Sequence, residues 1–69
     1  MKIAIAGYGL EGESNYRYWA TDPKNEITIF DQNPLTKEIP EGVKTVIGDD
    51  AFENLQGFDL VNFQKHHLL

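Results

Sequence analysis

The run from Met1 to Asp31 constrains the fold of this chain more than any other stretch. Lys2-Ile3-Ala4-Ile5-Ala6 is a short apolar run, Gly7-Tyr8-Gly9-Leu10-Glu11-Gly12 is a Gly-x-Gly-x-x-Gly turn, and Glu26-Ile27-Thr28-Ile29-Phe30-Asp31 is a second β-rich run that ends on an acid. In order these residues describe strand, glycine turn, helix, strand and terminal carboxylate, the layout of a nucleotide-binding βαβ unit. A glycine turn alone is a weak signal, because the pattern arises by chance in many loops. Here the flanking strands and an acid nineteen residues after Gly12 supply the context that makes it specific.

Each part answers a physical need. In the first strand Ile3 and Ile5 point to one face while Ala4 and Ala6 point to the other, leaving that second face flat enough for close helix approach. Gly7 takes backbone angles that a Cβ would hinder, Gly9 leaves room for phosphates against the main chain, and Gly12 lets the helix pack near the sheet. The helix then directs unpaired N–H groups and a partial positive charge of about half a unit at the same space. Asp31 falls where a carboxylate accepts hydrogen bonds from ribose hydroxyls.

The helix is predicted from Glu11 to about Ala20, with Tyr16, Trp19 and Ala20 on one stripe behind Gly12, and with Glu13, Asn15 and Arg17 toward water. Thr21-Asp22-Pro23 stops it, since a residue before proline disfavours the α region. Tyr16, Tyr18 and Trp19 could offer a base-stacking platform, but aromatic residues at helical spacing more often serve a core or an interface. Gln32 to Gly42 holds two prolines and no regular period, so it reads as a surface loop. Val43-Lys44-Thr45-Val46-Ile47 is predicted as an edge strand. Asp50 and Glu53 then fit a capping box that starts a short helix ended by Gly57. Phe58-Asp59-Leu60-Val61 is the fourth strand, reached by a right-handed crossover.

The expected fold is therefore α/β: a small Rossmann-like, three-layer domain with a parallel sheet of about four strands in the order 3-2-1-4. It occupies residues 1–61, and residues 62–69 form an irregular tail with no clear period. Sixty-nine residues allow one domain that buries only about 60% of its unfolded surface. The expectation is a fragment, or a domain that leans on a partner.

Composition removes several function classes. Six basic against eleven acidic residues give a net charge of −5 with no basic cluster, which disfavours nucleic acid and anionic membranes. The absence of cysteine removes disulfides and zinc-thiolate sites and fits a reducing compartment. No signal segment or membrane span is apparent, so the expected location is cytoplasmic. His66-His67 lacks the further ligands that a metal site needs. Neither a Gly-x-x-x-x-Gly-Lys-Ser/Thr loop nor a nucleophile-base pair is present, so no catalytic residue is assigned.

Within the turn, Glu11 and Glu13 suit the helix N-terminus yet set two negative charges beside any diphosphate. Gln32 and Asn33 stand where an arginine would serve a 2′-phosphate, which disfavours NADP, and their amides suit the edge of a base.

The segments Ile3 to Ser14, Ile27 to Asp31, Gly48 and Phe58 to Val61 resemble the N-terminal domain of the Mur ligases, in particular the UDP-N-acetylmuramoyl-L-alanine:D-glutamate ligases of peptidoglycan synthesis. The likeness spans nearly the whole chain to Val61, and its best motif is Gly-x-Gly-Leu-x-Gly-x-Ser. It implies a Rossmann-like domain that binds the UDP part of UDP-N-acetylmuramoyl-L-alanine. Gly7, Gly9 and Gly12 would form the turn, Leu10 and Glu11 would lie along the diphosphate and uridine, and Asp31, Gln32 and Asn33 would border the uracil. Family members commonly carry a small hydroxyl residue at Glu11, a basic residue near Asn33, and a Ser/Thr-Pro/Ala-Gly turn where this chain has Asn62 onward. The resemblance further implies that ATP and Mg²⁺ bind a central domain of the full-length ligase, that D-glutamate binds mainly a C-terminal one, and that these 69 residues hold no cofactor and do not ligate alone.

Two other functions fit the same residues. One is an NAD-binding module of a dehydrogenase or of a regulatory domain in potassium transport, since the glycine turn and Asp31 suit an adenosine ribose equally well. The other is a folded scaffold without a useful ligand.

Overall fold

The computed structural model of the chain describes residues 1–63. It contains β1 (Lys2–Ala6), α1 (Leu10–Trp19), β2 (Glu26–Asp31), β3 (Lys44–Ile47), a 3₁₀ turn at Ala51–Asn54 and β4 (Leu60–Phe63). The four strands form one parallel sheet in the order β3-β2-β1-β4, as the sequence predicts. The result is a small α/β domain of Rossmann-like type.

β1 is central because it is the most apolar strand and has a neighbour on each side. Its Ile3 pairs with Ile27 and Leu60, and its Ala6 with Phe30 and Phe63. Alternation sends Ile3, Ile5, Ile27 and Ile29 to the face that α1 covers, where Tyr16 and Trp19 pack on them with Tyr8. Those two aromatic residues are half-buried against the core. Tyr18 points outward, its ring edge-on to Trp19 at 4.9 Å. Ala20, expected on the buried stripe, is the exposed C-cap.

The second face carries Ala4, Ala6 and Phe30. Phe58 meets Phe30 edge-to-face at 5.4 Å, and the 3₁₀ turn covers β2 with buried Ala51. The alanines of β1 leave space for these rings. β3 is an edge strand, with Lys44, Thr45 and Ile47 exposed.

The helix ends where its orphan carbonyls find partners. The Ala20 N–H donates to the Tyr16 carbonyl at 2.8 Å, the Thr21 hydroxyl to that of Tyr18 at 2.7 Å, and the Asn25 amide to that of Trp19 at 2.9 Å. Among the described residues no helix is long and apolar enough to cross a membrane.

Two local expectations need correction. Asp50 makes no side-chain cap; instead its carbonyl accepts from the Glu53 N–H at 3.1 Å and the Asn54 amide at 3.2 Å, which winds a 3₁₀ turn rather than a capped α-helix. The fourth strand begins at Leu60, not Phe58, and runs to Phe63. Asp59 explains the offset: its carboxylate accepts the Lys2 N–H at 2.7 Å while its own N–H donates to the Lys2 carbonyl at 2.8 Å, so β4 enters register only afterwards. Asn62 and Phe63, assigned by sequence to the irregular tail, therefore belong to the sheet. Gln64 to Leu69, with the His66-His67 pair, lie outside the described residues.

Candidate functional site

The turn between β1 and α1 is built by glycine and held by β2. Gly7 has φ of 95°, a conformation that side-chain-bearing residues rarely adopt, and its N–H donates to the Phe30 carbonyl at 2.7 Å. Gly9 is the N-cap, and its carbonyl accepts the Glu13 N–H at 2.9 Å to start the helix. Gly12 is the one fully buried residue of α1. The three glycines thus converge on the helix N-terminus, where backbone dipoles favour an anion.

Asp31 lies across the crevice and takes a role that spacing alone does not reveal. Its Oδ2 accepts the Tyr8 N–H at 2.9 Å, and its Oδ1 accepts the Asn33 N–H at 3.0 Å. The carboxylate therefore ties the glycine turn to the start of the following loop. Each carboxylate oxygen has about two acceptor positions, so both retain capacity toward a ligand hydroxyl.

Between these elements lies a cleft of about 510 Å³, within the size range of small-molecule sites. Gly7, Gly9, Asp31, Gln32 and Asn33 of the sequence-predicted set all line it. Leu10 and Gly12 do not. Leu10 is 78% exposed on the first turn of the helix, and Glu11 instead borders a smaller cleft of about 370 Å³ with Ser14, Asn15 and Asn62. A larger depression of about 600 Å³ runs past Lys2, Glu26 and Lys44, the first residues of three strands. Open parallel sheets bind ligands at the carboxyl ends of their strands, so the glycine-lined cleft is the candidate despite its smaller size.

The charge pattern is sparse. Among the described residues, Asp31 is the charged one that lines the cleft, and no lysine or arginine does. Glu13 does not line it; its Oε1 meets the exposed Arg17 at 3.3 Å, a contact that counts for little in stability, and the half-buried Lys37 at 3.9 Å. These contacts nonetheless offset one of the two acids beside the helix tip. Burial, helped by the nearby Glu13 and Tyr16, raises the Tyr8 phenol above its ordinary pKa, with Arg17 opposing. Among the described residues no group of histidine, cysteine and carboxylate side chains could hold a metal ion.

Sequence reasoning missed several contributors, among them Pro34, Leu35 and Thr36 of the loop, which also line the main cleft. Phe63 lines both the main and the smaller cleft, Phe52 of the 3₁₀ turn lines the main one, and Lys37 returns from the loop to Glu13. Phe63 was legible only with the strand in its true register. The loop carried no periodicity that could place Lys37.

Sheet order, crossover helix and glycine turn together define the class as a small Rossmann-like α/β domain with a crevice at the carboxyl ends of β1 and β2. Compared with protein-family models, curated proteins and solved structures, the chain matches none.

Proposed function

We propose that this chain is a nucleotide-binding domain whose ligand is the UDP part of a nucleotide sugar, and that it serves a UDP-N-acetylmuramoyl-L-alanine:D-glutamate ligase of peptidoglycan synthesis. The observation that carries the binding reading is the convergence of Gly7 and Gly9 at the α1 N-terminus with Asp31, Gln32 and Asn33 across one cleft. Backbone N–H groups and the helix dipole suit a diphosphate, while the carboxylate and the two amides suit ribose hydroxyls and a base edge. The narrower assignment to the ligase rests on the sequence resemblance alone. On this reading ATP, Mg²⁺ and D-glutamate are held by other domains of the ligase, the cellular location is cytoplasmic, and these residues supply substrate anchorage without catalysis.

Titration of ¹⁵N-labelled chain with millimolar UDP tests the binding step. Amide shifts are expected from Gly7 to Gly12 and from Asp31 to Asn33; a spectrum unmoved at both segments rejects the reading. The competing NAD assignment draws on the same Asp31, whose remaining acceptor capacity equally fits the diol of an adenosine ribose. Competition between NADH and UDP, followed by nicotinamide fluorescence, decides between them, and preferential NADH binding reverses the ranking.

A further inference from the structure

We propose that Phe63, supported by Phe52, is the stacking wall for the ligand's planar base, an inference that rests on the nucleotide-binding reading above. Phe63 ends β4 opposite Ala6 of β1, so it stands at the carboxyl edge of the sheet beside the crevice. Among the described residues it is 61% exposed. It lines the same cleft as Gly7, Gly9 and Asp31, and so does the half-buried Phe52 of the 3₁₀ turn.

Strand register assigns Phe63 to the sheet face of the 3₁₀ turn that carries Phe52, and at the strand end Phe63 also borders the smaller cleft beside Glu11 and Ser14 of α1. Strand alternation sets Ile3, Ile5 and Ile29 toward the helix and therefore Ala6, Phe30 and Phe63 toward the other side, where the 3₁₀ turn packs. A nucleotide with its phosphates at the helix tip thus has an aromatic surface on the opposite side of β1. Ala6, the register partner of Phe63, lines the same cleft and adds only a methyl group to its floor.

Charge gives the second reason. Among the described residues no cationic side chain lines the cleft and Asp31 is an anion, so salt bridges from these residues to phosphate cannot supply the affinity. Stacking can, because every base presents a π-face whatever its hydrogen-bonding edge. Gln32 and Asn33 then read that edge with neutral donors and acceptors. The ligand class follows: a nucleotide recognised chiefly through its base and sugar, with the phosphates in a supporting role.

The test is NMR titration of the full 69-residue chain and its Phe63→Leu and Phe63→Tyr variants with UDP and, separately, with ribose 5-phosphate. Leucine keeps apolar bulk without a π-face, and because the site is exposed each variant should retain the wild-type fold, which the same spectra verify. The expected result is that Phe63→Leu weakens UDP roughly tenfold while Phe63→Tyr stays near wild type. Ribose 5-phosphate, which has no base, should bind all three alike. Equal UDP affinity in wild type and Phe63→Leu overturns the stacking wall and leaves the nucleotide reading standing. An equal loss of UDP and ribose 5-phosphate also overturns it, since Phe63 would then only shape the crevice. Wild-type chain that binds neither probe removes the nucleotide reading and the wall with it.

Discussion

Removing the Asp31 carboxylate should loosen the glycine turn before it affects the rest of the sheet. The two bonds it accepts differ in worth. A hydrogen bond to a charged acceptor contributes about 1.5–3 kcal/mol, but water readily replaces the exposed one from Asn33. The bond from Tyr8 N–H at 2.9 Å is partly buried, and its loss leaves a donor with poor access to solvent. Asp31→Ala is therefore expected to cost about 2–3 kcal/mol. A domain of 69 residues has a total stability of only about 3–10 kcal/mol at 0.05–0.15 kcal/mol per residue, so the variant loses a large share of it. Asp31→Asn keeps one acceptor oxygen and should cost about half as much. Urea unfolding reads the effect: with a slope near 1 kcal/mol per molar for a chain this small, the Asp31→Ala midpoint should fall by roughly 2 M. Hydrogen exchange locates it, because the Tyr8 amide should lose protection in excess of the amides of Ile3 and Ile5. If the Tyr8 amide exchanges no faster, relative to β1, in Asp31→Ala than in wild type, the carboxylate does not hold the turn and the reasoning fails.

How legible was this arrangement before folding? The βαβ unit was legible because its signals are local: alternation in β1, three glycines at fixed spacing, and an acid at the end of β2. The strand order followed from the crossover lengths and handedness. The start of β4 was not legible, because Phe58-Asp59-Leu60-Val61 reads as a strand by composition, whereas Asp59 is committed to the Lys2 backbone through a contact between residues far apart in sequence. The same offset hid Phe63 from the candidate site. Asp31 shows a related limit: spacing placed the carboxylate in the crevice, but a tertiary bond to Tyr8 gives it a structural duty as well. Asp50 and Glu53 satisfied the spacing of a capping box, yet backbone and Asn54 bonds to the Asp50 carbonyl accompany a tighter turn.

Four further perturbations probe the same elements. Gly7→Ala places a Cβ on a residue with φ of 95° and should cost about 1–2 kcal/mol, visible as a fall in Tm of roughly 5–15 °C. Tyr8 supplies a pH test: burial raises its pKa in the folded state, so as pH climbs past the ordinary value of 10.0 the unfolded chain loses this proton first. Its contribution is intact below that value and is lost as pH rises through the folded pKa; Tyr8→Phe should therefore unfold less steeply than wild type in alkaline titration by circular dichroism. Among the described residues the buried Asn62 Nδ2 has no hydrogen-bond partner, and Asn62→Leu, which keeps the γ-branch and removes the donor, should raise stability by about 1 kcal/mol in the same urea assay. Ala4 and Ala6 separate packing from binding. Both are buried on the same face of β1, and valine at either should overpack and cost about 1–3 kcal/mol. Only Ala6 of the two lines the glycine cleft, beside its register partner Phe63, so Ala6→Val should also weaken UDP whereas Ala4→Val should not. Equal UDP affinity in folded Ala4→Val and Ala6→Val would mean that the ligand does not reach the cleft floor at Ala6.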